Sequence, residues 1–137
     1  GLGRWQGKLG NPIPEDLRRY AEEQVWEDLD AFLQTVWCKK DGTALRIISC
    51  CIDSGGHHTD QVYRFTKERY ERGVWAIKGK GGAEVPYIRN PTTNNRVKTP
   101  LFIIGVDAGK ALLYQRLRHN TKGPNYCHSP RTKKRVR

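Results

Sequence analysis

Two aspartates stand where short apolar runs stop: Asp53 closes ALRIISCCI and Asp107 closes LFIIGV. Runs of this length, β-branched and bounded by turn residues, read as buried strands. In open α/β sheets, ligands gather beyond the carboxyl ends of the strands, where loops and helix starts converge. Two carboxylates meeting there repel each other unless a cation lies between them, and hard oxygen donors suit Mg2+ or Mn2+. Asp53 and Asp107 are therefore the candidate metal ligands. The competing reading is that each caps the helix that follows, because a carboxylate accepts well from the free N–H groups of a helix start. Spacing alone leaves both readings open, and the two roles can coexist.

The neighbours of these aspartates extend the same chemistry. His57 and His58 lie just past Asp53, and His57 is the candidate for proton transfer or a phosphate contact, against a plain loop role for both. Lys110, one turn into the helix after Asp107, is the candidate for contacting a scissile phosphate or keeping Asp107 ionised, against a solvated helix lysine. Lys78, Lys80, Arg89, Arg96 and Lys98 are spread through VWAIKGKGGAEVPYIRNPTTNNRVKT. That spread suits tracking a phosphate backbone more than reading bases. Gly79-Lys80-Gly81-Gly82 resembles a phosphate loop only superficially: G-x-x-x-x-G-K-[ST] is absent and no helix is expected after it, so no ATP site is predicted.

The charge distribution points to the same partner. Of a net +11, residues 1–71 carry 10 basic and 12 acidic side chains, whereas residues 72–137 carry 15 basic and 2 acidic. A half that basic is a footprint for a polyanion, and nucleic acid is the expected one, the alternative being a solvated basic surface. At 137 residues the chain suits one domain, read as residues 1–130 with a basic tail over 131–137. No apolar run is long enough to span a membrane and GLGRWQGKLG has no signal-peptide core, so an intracellular protein is expected. Cys38, Cys50, Cys51 and Cys127 form no C-x-x-C pair and no disulfide framework; a zinc site from them with His57, His58 and His128 is the lesser alternative.

The elements that must position these residues follow from periodicity. Pro14 opens a helix whose Ile13, Leu17, Tyr20, Ala21, Val25, Leu29, Phe32, Leu33 and Val36 recur at three- and four-residue steps, making an apolar face. After a turn at 39–42 comes a strand over 44–52, buried on both faces. Thr59 is placed to cap a helix over 60–71, which Gly73 closes in the left-handed conformation, and a strand follows over 74–78. Residues 79–99 form an irregular functional loop or hairpin excursion with a short strand near 85–88. A strand over 101–106 leads into a helix over 108–119 that docks through Ala111, Leu112, Tyr114 or Gln115, and Leu117. Strand, helix, strand in this order predicts an α/β fold with a mostly parallel sheet and flanking helices.

Four blocks carry a family resemblance: CIDSGGHHTDQVYRF, VWAIKGKGG, LFIIGVDAGKALLYQRLR and GPNYCHSP. In this order, and with the VWEDLDAFL helix ahead of them, they resemble the C-terminal nuclease region of the lambda-type phage terminase large subunit, the GpA family. The resemblance covers roughly residues 24–130. IDSGGHHT and GPNYCH are its distinctive parts. It implies an RNase H-like fold and a divalent-metal endonuclease that cuts concatemeric viral double-stranded DNA during packaging. The implied partners are the terminase small subunit and the portal, with no membrane, and the implied setting is the host bacterial cytoplasm.

Within that family pattern Asp53 matches the fourth-strand carboxylate and Asp107 the last one. Asp53 is then expected to bridge two metal ions while Asp107 completes one shell. The pattern also has a carboxylate on a first strand, and the chain opens ahead of its first helix instead. The first strands of the fold and that carboxylate are therefore expected to be missing, as in an N-terminally truncated or prophage-derived form. The rival readings are a non-catalytic DNA-binding module and an assembly domain that docks on the portal.

Overall fold

The computed structural model describes residues 14–129. Ile13, the N-terminal GLGRWQGKLG and the basic tail at 131–137 lie outside the described residues. The described elements run α1 (Glu15–Leu33), β1 (Val36–Cys38), β2 (Ala44–Arg46), β3 (Cys50–Asp53), α2 (Thr59–Glu68), β4 (Val74–Lys80), β5 (Leu101–Gly105) and α3 (Val106–Leu117), with a 3-10 turn at Tyr70–Arg72. Contacts divide them into two compact units: residues up to Cys50 with Glu71–Val74, and Cys51–Tyr70 with Trp75 onward.

In the first unit, Pro14 precedes α1 as expected, and its carbonyl accepts the Arg18 N–H at 3.0 Å. The apolar face predicted for this helix is largely uncovered: Leu33 is its one buried residue among those described, while Leu17, Tyr20, Val25 and Phe32 are exposed. Val36 continues the helical spacing but belongs to β1, which pairs antiparallel with β2 in the register Val36↔Arg46. The expected strand over 44–52 is thus two pieces. Ala44–Arg46 is recruited by the hairpin and is exposed throughout, and only Cys50–Asp53 enters the main sheet. The apolar run hid the break because the β-branched Ile47 and Ile48 lie in the gap and continue the strand-like composition across it. Gly73 has φ +76, the predicted left-handed conformation, and a Cβ there would overlap the Ile48 carbonyl oxygen. Arg72 pairs with Asp30 at 2.9 Å, and Gln34 donates to the other Asp30 oxygen at 2.8 Å.

The second unit holds the body of a three-stranded sheet in the order β3-β4-β5. Cys50 N–H donates to Gly73 O and Ser54 N–H to Ile77 O, an advance of four residues on both strands that marks β3 and β4 as parallel. β4 and β5 are parallel too, with Ile77↔Phe102 and Lys80↔Gly105. The α/β class and parallel sheet expected from the sequence are therefore present. Helix α2 buries Val62, Tyr63, Phe65 and Thr66, side chains spaced one turn apart on one face. Burial of each large apolar group contributes about 1.5–3 kcal/mol. Helix α3 is shallower: Leu112 is half-buried, whereas Ala111, Tyr114, Gln115 and Leu117 are exposed.

The irregular segment after β4 is pinned along β5. Ile88 bridges Ile104 and Thr92 bridges Leu101, both antiparallel. Val85 is 4% exposed, and Tyr87 O accepts the Gly105 N–H at 2.9 Å. Asn95 closes the turn ahead of β5 by donating to Thr99 O at 2.7 Å and accepting from Thr99 N–H at 3.0 Å. The excursion predicted over 79–99 is thus a broken edge strand, with pairing starting at Ile88.

Candidate functional site

Asp53 ends β3, exposed, and its Oδ1 accepts the Gly55 N–H at 3.0 Å. The loop it enters is tied by side-chain hydrogen bonds. Ser54 is buried and donates its hydroxyl to Ile77 O at 3.0 Å, while Thr59 Oγ1 donates toward Ser54 O at 2.8 Å and Gly56 O at 2.9 Å. His58, not Thr59, occupies the N-cap of α2 and makes no side-chain cap hydrogen bond. Thr59 is the first helical residue, so its hydroxyl serves the loop. His57 is exposed and lines an open depression with His58, Thr59, Asp60 and Gln61.

Asp107 is the second residue of α3, whose N-cap is Gly105. Its Oδ2 accepts the backbone N–H of Gly82 at 2.7 Å across 25 residues of sequence. Neither aspartate occupies an N-cap position: each gives one oxygen to a loop N–H. Lys110 lies three residues on in the same helix and is exposed. This places it on the Asp107 side of α3, since residues three apart are helix neighbours.

The sheet register decides how the two aspartates stand to one another. The Ser54–Ile77 bond sets Asp53 level with Ile77, and Ile77 is level with Phe102. Both carboxylates therefore rise from carboxyl ends of parallel strands on either side of β4. Gly105 lies three residues beyond Phe102, about 10 Å along the strand, and β3 and β5 are two strand spacings apart, about 10 Å. Among the described residues no group of three or more His, Cys, Asp and Glu side chains gathers closely enough to hold a metal ion. That also leaves the zinc alternative without a ligand cluster there. The donor chemistry still fits Mg2+ or Mn2+, which are commonly held by one or two carboxylates with water and substrate phosphate filling the shell.

The basic candidates fall in two places. Lys78 and Lys80 share a face of β4, exposed where the strand outruns its neighbour β3, and Lys80 pairs in register with Gly105, just ahead of Asp107. Arg89 follows Ile88 on the far side of β5. Arg96 is exposed and lies 3.9 Å from Asp60 at the start of α2. Lys98 is exposed at φ +59. The turn holding these last two is tied down by Lys67, whose Nζ donates to Val97 O at 2.7 Å. So Gly82 meets Asp107 directly, with Lys80 and Lys110 close to it in register and along α3, while Arg96 meets Asp60, which lines the depression with His57. The sequence reading missed Gly82 and Ser54. The GKGG motif is the visible signal for Gly82, through its glycines rather than through any likeness to a phosphate loop.

Comparison with known proteins gives this arrangement a family. The chain is 31% identical over 102 residues to the terminase large subunit of Enterobacteria phage P21, covering 74% of this chain and 16% of that protein. It is 26% identical over 118 residues to the terminase large subunit of Escherichia phage lambda, covering 83% and 18% respectively. The chain thus spans less than a fifth of the length of these relatives. No solved structure is significantly similar to it. Residues 9–136 match the family described as terminase large subunit gpA, endonuclease domain, and a match of that extent shows that the chain belongs to this family.

Proposed function

We propose that this chain is the metal-dependent endonuclease domain of a phage DNA-packaging terminase, cutting concatemeric viral double-stranded DNA in the host bacterial cytoplasm. The observation that carries the reading is the pair of exposed strand-end carboxylates, each with one oxygen fixed by a loop N–H and the other left for a cation. Asp53 and Asp107 would each hold a Mg2+ or Mn2+ ion. A divalent cation bound there would supply water activation and charge stabilisation for in-line displacement at a phosphate. Lys80 and Lys110 draw the phosphate toward Asp107, and His57 and Arg96 do so beside Asp53. Lys78, Arg89 and Lys98 hold flanking backbone. Positioned positive charge of this kind is a large part of phosphodiester catalysis.

The three parallel strands with α2 and α3 support an RNase H-like fold for the domain. The small subunit and the portal are proposed partners of the longer protein. The second reading is a non-catalytic DNA-binding role, which the 15 basic against 2 acidic side chains of residues 72–137 support. A cleavage assay on plasmid DNA separates the two. Cutting that needs Mg2+ or Mn2+, stops in chelator and disappears in Asp53→Asn supports the nuclease. DNA binding with no cutting, or cutting that survives Asp53→Asn, overturns the assignment.

A further inference from the structure

The glycine turn leaving β4 meets α3 at one atom pair, Gly82 N–H and Asp107 Oδ2, 2.7 Å apart. The donor is built in from both sides. Gly82 has φ +124, a conformation L side chains rarely adopt, and a Cβ there would meet Glu84 Oε1 at 2.8 Å and Val85 Cγ2 at 3.2 Å. Val85 is buried and its N–H returns to Gly82 O at 3.2 Å, so the turn is anchored in the core. Behind it, Gly105 passes so close to the Pro86 and Val85 carbonyls that a Cβ would overlap them. The peptide N–H of Gly82 is therefore a fixed donor aimed at an otherwise exposed carboxylate. A carboxylate with one oxygen held this way loses rotational freedom and presents the other oxygen in a set direction, as partners behind metal ligands commonly do.

We propose that Gly82 is a positioning residue for Asp107, its backbone N–H holding Oδ2 so that Oδ1 faces the cation. This rests on Asp107 being a metal ligand. The role also accounts for the glycine-rich motif, in which Gly82 supplies the donor and the close backbone approach.

The test is Mn2+ affinity of the full chain, read by the electron paramagnetic resonance signal of free Mn2+. Four proteins are compared: native, Asp107→Asn, an amide-to-ester change at residue 82 that deletes only the N–H, and the two changes combined. The ester is expected to weaken Mn2+ binding about tenfold, the usual cost of losing a partner behind a ligand. It should have no further effect in the Asp107→Asn background, since the two act as one unit. Gly82→Ala should show the same loss, with thermal melting separating strain from lost ligation. If Asp107→Asn weakens binding and the ester does not, the positioning role is overturned and the metal assignment stands. If Asp107→Asn itself leaves Mn2+ affinity unchanged, the metal assignment fails and the positioning role with it. An ester effect of equal size in both backgrounds means a merely structural turn and overturns the proposal.

Discussion

Asp53 and Asp107 share a design in which a short strand delivers the carboxylate and a loop N–H fixes one of its oxygens. Asp53→Asn keeps an oxygen that can accept the Gly55 N–H, and the side chain is exposed. Its unfolding free energy in urea should therefore change by less than about 0.5 kcal/mol. A loss above about 2 kcal/mol would show that Asp53 is a structural residue. Asp41 offers a pH prediction. The Thr43 hydroxyl first, and then the Thr43 backbone N–H, hydrogen-bond its carboxylate and hold its pKa below the ordinary 3.8. A carboxyl depressed in the folded state stabilises the β1–β2 hairpin above the unfolded value, and that stabilisation fades as pH falls through the folded value. Carboxyl NMR should find the Asp41 midpoint below 3.8, with the Thr43 amide shifting in step; a midpoint at or above 3.8 would remove the effect. At this scale the aspartates were legible because each closes an apolar run. Gly82 was not, because a backbone donor reaching across 25 residues leaves no mark in side-chain spacing.

The elements were legible where one pattern owned the residues. Helix α2, with Val62, Phe65 and Thr66 buried on one face, lies close to its expected range, as do β4 and β5. The hairpin was hidden because Val36 extends the three-and-four spacing of α1, while Ala44–Arg46 runs into β3 with no Gly or Pro to mark the break. Tertiary pairing, which local pattern does not encode, decided both. The excursion after β4 depends on another close approach, at Gly105, where β5 passes beneath the Pro86 and Val85 carbonyls. Gly105→Ala should therefore cost about 1–3 kcal/mol, in the range of overpacked sites, and lower the thermal midpoint. An unchanged midpoint would mean that the excursion is not held against β5.

For the whole molecule, the uneven charge is the feature the sequence displayed most openly. The acidic side chains concentrate before residue 72, many of them on α1, and the basic ones after it. Phosphate contacts by Lys78 and Lys80 predict that replacing both with Gln flattens the slope of log affinity against log salt by roughly two for duplex DNA. Fluorescence anisotropy from 50 to 200 mM salt measures it, and an unchanged slope would place the DNA elsewhere. The two strand-end carboxylates are proposed to bind divalent cation together at the carboxyl end of the sheet. Paramagnetic broadening of backbone amide signals by trace Mn2+ tests it most directly. Residues 53–56 and 106–108, with Gly82, should broaden together at the lowest Mn2+ additions, and Asp53→Asn should relieve the first group. Broadening that begins instead on the acidic face of α1, leaving both strand ends sharp, would contradict it.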